Sequence, residues 1–449
     1  MTLSILERYV ELHPASLRLH QRALPVFPDG VTHDMRQTSP FPLYVQHADR
    51  GRKTDVDGNE IIDFVMGHGA LLLGHSHPSI VEAVTKQAAL GTHYGASHEL
   101  EIAWGERVQE LVPSAEKVRF TSSGTEATMM ALRLARAYTG REKVLRLYEN
   151  FHGWNDSVTG QPAPEETVPR AAGLPHGTLD ASIVIPQGDI ATLERTIDEE
   201  GSAIAALIFE ATGAHWGTYP LDLDYVRRAR ELTAAHGIVM IMDEVITGFR
   251  VTPGGAQQAY GVTPDLTTMA KILGGGLPGG AVAGKQEIID QISIARARAG
   301  MRVSHPGTYN ANPLSAAAGS TCLEIVADGS HQDRAAATSR EIARGMNAAL
   351  REASMPGAVY GQSSMLHISL GECEQPPDGY GWGWRALPAP LAATSAELSQ
   401  ALRLGMLNEG VDLMGGGLMV SSAHTSNDAD RTLSAFRRTL DAIKAERLV

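Results

Sequence analysis

IVMIMDEVITGFRVTPGGAQQAYGVTPDLTTMAKILGGGLP, residues 238–278, is the stretch from which the rest of the chain can be read. It opens on Ile238-Val239-Met240-Ile241-Met242, five apolar residues with no polar alternation. A run this short and uniform suits a parallel strand buried on both faces. Asp243 and Glu244 follow at once. In open α/β sheets, functional groups gather beyond the carboxyl ends of strands, and a buried acid there calls for a cationic partner. A second apolar run, Leu266 to Ala270, ends in Lys271. Burial disfavours the ammonium form and leaves a usable amine. The glycine-rich turn Gly274-Gly275-Gly276-Leu277-Pro278-Gly279-Gly280 lets backbone approach something bulky.

A plain buried Asp–Lys ion pair would satisfy both residues, but such pairs are often no better than apolar packing. One cofactor chemistry uses both. Pyridoxal 5′-phosphate needs a lysine for its Schiff base and a carboxylate that keeps its pyridine nitrogen protonated. DEVITGFR at 243–250 and AKILGGGLPGGAVAGK at 270–285 resemble the class III aminotransferases. Within that class they are most similar to the glutamate-1-semialdehyde aminomutase branch, near the β-amino acid aminotransferases. The resemblance implies Asp243 at the pyridine nitrogen, Val245 on one ring face and Lys271 as the Schiff-base lysine and general acid/base. It spans residues 25 to 445 or so, nearly the whole chain.

Outward from this stretch, the pattern alternates strand and helix. Val118-Arg119-Phe120 reads as a strand, Thr121 to Thr125 as a polar loop, and 126–138 as a helix with Ala127, Met130, Ala131, Leu134 and Ala135 on one face. Val144–Leu147 is the next strand, and the βαβ unit implies a parallel sheet. A polar loop opening a helix is an anion site or a simple N-cap. The resemblance implies the former, with Ser123, Gly124 and Thr125 holding the cofactor phosphate. It also implies Phe151 as the aromatic on the second ring face, with His152 beside it. Ile183–Ile185 and Ala203–Phe209 read as further strands, the second ending in Glu210. Family members usually carry Glu-Pro where this chain has Glu210-Ala211, so Glu210 is placed near the cofactor without a defined task. Leu223–Gly237 reads as an amphipathic helix closed by Gly237.

At 449 residues the chain exceeds the size of a single core. The fold class expected is α/β, the pyridoxal-phosphate-dependent transferase fold type I. It consists of a large domain with a mostly parallel seven-stranded sheet, plus a small α+β domain built from both chain ends. The domain limits read as 1–65, 66–328 and 329–449. Apolar runs around 43–45 and 61–62 flank Asp57-Gly58-Asn59, a hairpin signal. Residues 313–326 and 333–353 read as helices, as do residues near 394–409. Short strands are expected near 365–370 and 417–421, with a surface or entrance loop over 373–391.

Net charge is −13, which disfavours nucleic acid and anionic membranes. Cys322 and Cys373 give neither a disulfide framework nor zinc spacing. His68, His75 and His77 lie close together, but no Glu or Cys completes a metal-ligand spacing, so no metal is expected. Gly274, Gly276 and Gly279 fit G-x-G-x-x-G but open no helix, which argues against a dinucleotide enzyme. No G-x-S-x-G elbow is present. Glu7 and Glu11 interrupt the apolar start, no window reaches membrane-span length, and a cytoplasmic location is expected.

For function, the resemblance implies transfer of an amino group from a carboxylate-bearing amine to a keto acid in two half-reactions. His305 to Pro313 resembles the loop that reaches the neighbouring subunit, which implies a homodimer with Thr308 at the partner's phosphate. In both branches an arginine in the loop that matches the one bearing Arg36 binds the substrate carboxylate, and the resemblance implies the same task for Arg36. His68 stands where aminomutases have Trp, and His215-Trp216 where they have Asn-Met. These differences turn the expectation toward a β-amino acid or ω-amine, with glutamate-1-semialdehyde 2,1-aminomutase as the alternative.

Overall fold

The computed structural model describes residues 3–160, 171–297, 300–383, 385–387 and 394–448. It divides into two compact units. The larger comprises Pro78–Gln332 with Gly383–Ala386; the smaller comprises Met1–His77, Asp333–Trp382 and Leu387–Val449. The domain limits expected at 65/66 and 328/329 stand beside unit boundaries at His77/Pro78 and Gln332/Asp333.

The larger unit is organised on a seven-stranded sheet. Its strands lie in the order Lys117–Thr121, Gly280–Gly284, Leu266–Ala270, Val239–Asp243, Ile204–Glu210, Lys143–Leu147, Ser182–Ile185. Only Gly280–Gly284 runs against its neighbours. This is the α/β, mostly parallel arrangement of fold type I. The continuous apolar runs follow from burial on both faces. Met240 and Met242 join Leu207, Phe209, Tyr225 and Ala229 in one core, with the helix Leu223–His236. Val239 and Ile241 join Ala206, Ile208, Met130 and Leu134 in another, with the helix Gly124–Thr139. Alternate residues of one strand thus feed opposite layers, as the pleat requires.

Gly280–Gly284 was not legible as a strand, since its five residues are Gly, Ala and Val and carry no β-branched or aromatic pattern beyond one position. Its smallness is steric: a Cβ on Gly280 would lie 2.3 Å from the Ser123 carbonyl oxygen. Trp104 backs the neighbouring glycine-rich turn. It is fully buried, stacks on Phe120 at 4.1 Å between ring centroids, and donates from Nε1 to the Leu273 carbonyl at 3.0 Å.

The smaller unit is α+β and draws on both chain ends. A four-stranded sheet contains Val45–Asp49, Arg52–Asp55, Glu60–Asp63 and Val411–Asp412. A three-stranded antiparallel sheet holds Gly357–Gln362, Met365–Leu370 and Gly417–Met419. The core combines Tyr9, Phe41, Ile62 and Phe64 with Ile342, Leu366, Leu402 and Phe436. The Asp57-Gly58-Asn59 turn does join two antiparallel strands, but they are Arg52–Asp55 and Glu60–Asp63. Arg52–Asp55 is too polar to show a strand period, and the strand expected from 43 begins at Val45. Parts of the 373–391 loop, at 384 and 388–391, fall outside the described residues. No helix among the described residues is long and apolar enough to cross a membrane.

Candidate functional site

Four strands of the large sheet deliver side chains at their carboxyl ends, the location expected for an α/β sheet. Asp243 ends its strand and is buried. Its Oδ1 accepts from the Val245 amide at 3.0 Å and from the Thr268 hydroxyl at 3.1 Å. Its Oδ2 lies 2.7 Å from His152 Nδ1. A carboxylate only accepts, so the ring must donate across this contact. Burial pushes the His152 pKa down against the pull of Asp243, so the ring is neutral with its proton on Nδ1. Its Nε2 is buried and has no hydrogen-bond partner among the described residues.

Lys271 follows the adjacent strand, directly after Ala270. Its backbone sits at φ 53°, the left-handed region in which a non-glycine residue is strained. Burial holds its ammonium below the ordinary range, opposed by Asp243 and Glu210 and assisted by Arg250. The amine is therefore poised to lose a proton more readily than a surface lysine.

The loop after Thr121 opens the sixteen-residue helix Gly124–Thr139. Ser123 is its N-cap, accepting from the Glu126 amide at 3.2 Å, and Glu126 Oε2 accepts from the Ser122 amide at 2.8 Å. First-turn amides of a helix lack intrahelical acceptors, and the dipole favours an anion there. Gly124 closes onto Val245: a Cβ at 124 would meet the two Val245 methyls at 3.0 and 3.1 Å. Thr125 sits against Gly153, where a Cβ would lie 2.5 Å from the Thr125 hydroxyl. The first-turn amides of this helix, Val245, Asp243 and Lys271 are thereby gathered on neighbouring strand ends.

Glu210 ends a third strand, and the structure gives it a task that the sequence left open. Oε1 accepts from the backbone amides of Phe151 at 2.8 Å and His215 at 2.9 Å, and Oε2 from that of Trp216 at 2.8 Å. His215 and Trp216 both have positive φ, 50° and 51°. One buried carboxylate thus fixes the loop bearing Phe151 and the strained turn bearing His215 and Trp216. The Phe151 side chain remains 63% exposed, and His215 Nε2 lies 3.3 Å from Glu149. Ala211 donates its amide to the Asp243 carbonyl at 3.2 Å, a bond that proline could not make.

Burial pushes Glu210 up from 4.5 to about 7, with the three amides pulling it down and Asp243 pushing it further up. A folded pKa above the unfolded one gives stability that is full below about pH 4.5 and lost as pH rises through about 7. Glu210→Gln is expected to flatten that part of the profile, by on the order of 3 kcal/mol over the window. Melting temperatures of the two proteins between pH 4.5 and 7.5 check this; parallel curves would remove Glu210 as their source.

Thr308 is exposed on the loop after His305. That loop is braced by Arg119, which donates to His305 Nδ1 at 2.9 Å and to the His305 carbonyl at 3.1 Å. Arg36 and His68 belong to the smaller unit, where both line one cavity of about 350 Å³. Arg36 donates to the Thr32 hydroxyl at 2.8 Å, and His68 stacks on His33 with centroids 4.9 Å apart. His75 pairs instead with Asp63. Sequence reasoning missed Thr268; a threonine within an otherwise apolar buried strand was the available signal.

The set fits pyridoxal phosphate on its own chemistry. It offers a lysine whose pKa burial depresses, a carboxylate fixed by three partners, and a helix N-terminus opened by a glycine at which a Cβ would crowd Val245.

The family model described as Aminotransferase class-III matches residues 34–380. A glutamate-1-semialdehyde 2,1-aminomutase from Methanopyrus kandleri is 36% identical over 441 residues, covering 97% of this chain and 99% of that protein. Among solved structures, an omega-transaminase from Sphaerobacter thermophilus matches with TM-score 0.86 at 34% identity, covering 96% of this chain and 98% of that one. A β-phenylalanine aminotransferase from Variovorax paradoxus matches with TM-score 0.84 at 26% identity, covering 98% and 97%.

Proposed function

The chain belongs to the class III aminotransferases, pyridoxal-phosphate-dependent enzymes, and from that premise we propose that it moves an amino group from a β-amino acid or ω-amine bearing a carboxylate to a keto acid. The observation that carries the reading is the pairing of Lys271 with the fixed Asp243 carboxylate on adjacent strand ends.

Pyridoxal phosphate, when bound, supplies an electron sink that stabilises negative charge on the amine-bearing carbon of the substrate. The chain supplies the rest. Ser123, Gly124 and Thr125 would hold the phosphate, Val245 and Phe151 the two ring faces, and Lys271 the attachment. Asp243, kept in place by His152, Thr268 and the Val245 amide, would hold a proton on the pyridine nitrogen. The Lys271 amine, once free, would take the proton from the amine-bearing carbon as general base and, as general acid, would deliver it to the aldehyde-derived carbon of the cofactor, the 1,3-shift that leaves the amino group with the cofactor. Glu210 orients the Phe151 and His215-Trp216 backbones.

Substrate choice rests on Arg36. A planar guanidinium suits a carboxylate through paired hydrogen bonds. Similarity to the β-phenylalanine aminotransferase, and the His68 and His215-Trp216 departures from the aminomutase pattern, favour a β-amino acid. The aminomutase is the second reading, favoured by the 36% identity to the Methanopyrus kandleri protein. In the first half-reaction, 3-aminobutanoate should convert the cofactor absorbance to that of the aminated form. Arg36→Ala should slow this about 10- to 100-fold, the worth of a charge-assisted hydrogen bond. It should leave 2-aminobutane, which lacks the carboxylate, unaffected. Equal losses on both amines would remove Arg36 as the carboxylate residue. Reaction with glutamate 1-semialdehyde or its diamino product alone would establish the second reading.

The assembly proposed is a homodimer in which Thr308 reaches the partner subunit's cofactor phosphate. Mixed dimers of Thr308→Ala and Lys271→Ala subunits should then contain one site with both lesions and one with neither, and regain activity that each parent lacks. Absence of recovery despite demonstrated subunit exchange would argue for unshared sites.

A further inference from the structure

The cavity of about 350 Å³ in the smaller unit is lined by Arg36 and also by Arg403, from the helix Ala396–Asn408. The other charged groups around it contact one another. Lys53 donates to Asp412 at 2.5 Å and to Asp63 at 3.0 Å, and His75 lies 2.7 Å from the second Asp63 oxygen. Burial works against charge on both sides of this cluster. The two carboxylates nevertheless raise Lys53, and Lys53 with His75 lowers Asp63. That group sets two carboxylates against one lysine, and Asp412 Oδ1 is buried with no hydrogen-bond partner among the described residues.

Neither arginine is satisfied in this way. The bonds of Arg36 and Arg403 are to neutral oxygens: Arg36 to the Thr32 hydroxyl, and Arg403 Nη1 to the Gln37 carbonyl at a long 3.4 Å. Arg403 Nε is buried and has no hydrogen-bond partner. No carboxylate forms an ion pair with either guanidinium among the described residues. Guanidinium groups stay charged at any pH the protein meets. Two guanidiniums without an ion-pair partner among the described residues therefore border one cavity, which Asp63 and Asp412 also line and whose remaining wall includes Leu43, Val65 and Leu407.

We propose that Arg403 acts with Arg36 as a second arm of one anion subsite, whose ligand is a carboxylate on a short apolar body. The assignment rests on the reading of Arg36 given above and adds a specificity residue to it. Two forks from different elements, a 3-10 turn and a helix, can share the oxygens of one carboxylate and fix its direction, which one arginine on a short exposed turn does less well.

The test is a binding experiment on the holoenzyme with butanoate, which carries the carboxylate and lacks the amine. Calorimetric titration should show one site per chain, weakened at least about tenfold in both Arg36→Ala and Arg403→Gln. Arg403→Lys should fall between wild type and Arg403→Gln, since it keeps the charge and loses the fork. Melting temperatures of all variants confirm folded protein. If Arg403→Gln binds butanoate like wild type while Arg36→Ala does not, the second arm is wrong and the Arg36 reading stands. If butanoate binding is absent, or indifferent to both substitutions, the carboxylate subsite itself falls. Inorganic phosphate is the control anion. If it binds more tightly than butanoate with the same dependence on both arginines, the commitment to a carboxylate is overturned.

Discussion

Lys271→Ala is expected to remove turnover by a factor of about 10⁴ or more while leaving a folded protein. The residue sits where burial lowers its pKa, and among the described residues no other lysine lies at the carboxyl ends of the parallel strands to take over proton transfer. Structural cost should be small. The strained φ of 53° is a property of the backbone that alanine inherits, and the ammonium makes no ion pair among the described residues that its loss would leave unmatched. Steady-state transamination and thermal melting, measured together, separate the two effects. A variant that melts like wild type and retains a near-normal rate would mean that another amine does the work.

Asp243→Asn is expected to lose about 10²–10³ in rate, the scale for removing one preorganised electrostatic partner, with little change in melting temperature. The amide keeps an oxygen for the Val245 amide and the Thr268 hydroxyl. Its nitrogen can face His152 if that ring moves its proton from Nδ1 to Nε2, which has no partner to lose. The hydrogen-bond network survives; the negative charge that holds a proton on the pyridine nitrogen does not. An unchanged rate would refute the assigned role. A large fall in melting temperature would instead mark Asp243 as structural.

The strands that carry this chemistry were legible because burial on both faces leaves an unbroken apolar run, as in Val239–Met242, ending in an abrupt charge. The cap at Ser123 was legible because N-capping is local. Contacts between distant residues left no such trace. Glu210 reaches Phe151, 59 residues earlier in the chain, through a backbone amide, and a backbone partner leaves no mark in side-chain identity. Arg403 reads as an ordinary charged position on a helix, and its lack of an ion-pair partner among the described residues appears only in three dimensions. Gly280–Gly284 was hidden for the opposite reason. Close approach of Ser123 demands residues too small to give a strand pattern.

Because Glu210 grips main-chain amides at 151, 215 and 216, the path of that turn is insured independently of which side chains it displays. Such a platform is open to directed evolution: if His215 and Trp216 contact substrate as proposed, positions 215 and 216 can be randomised without rebuilding the loop. The positive φ angles bias productive libraries toward Gly, Asn, Asp and His and away from Val, Ile and Thr. Glu210 itself is the one position such a library must leave alone.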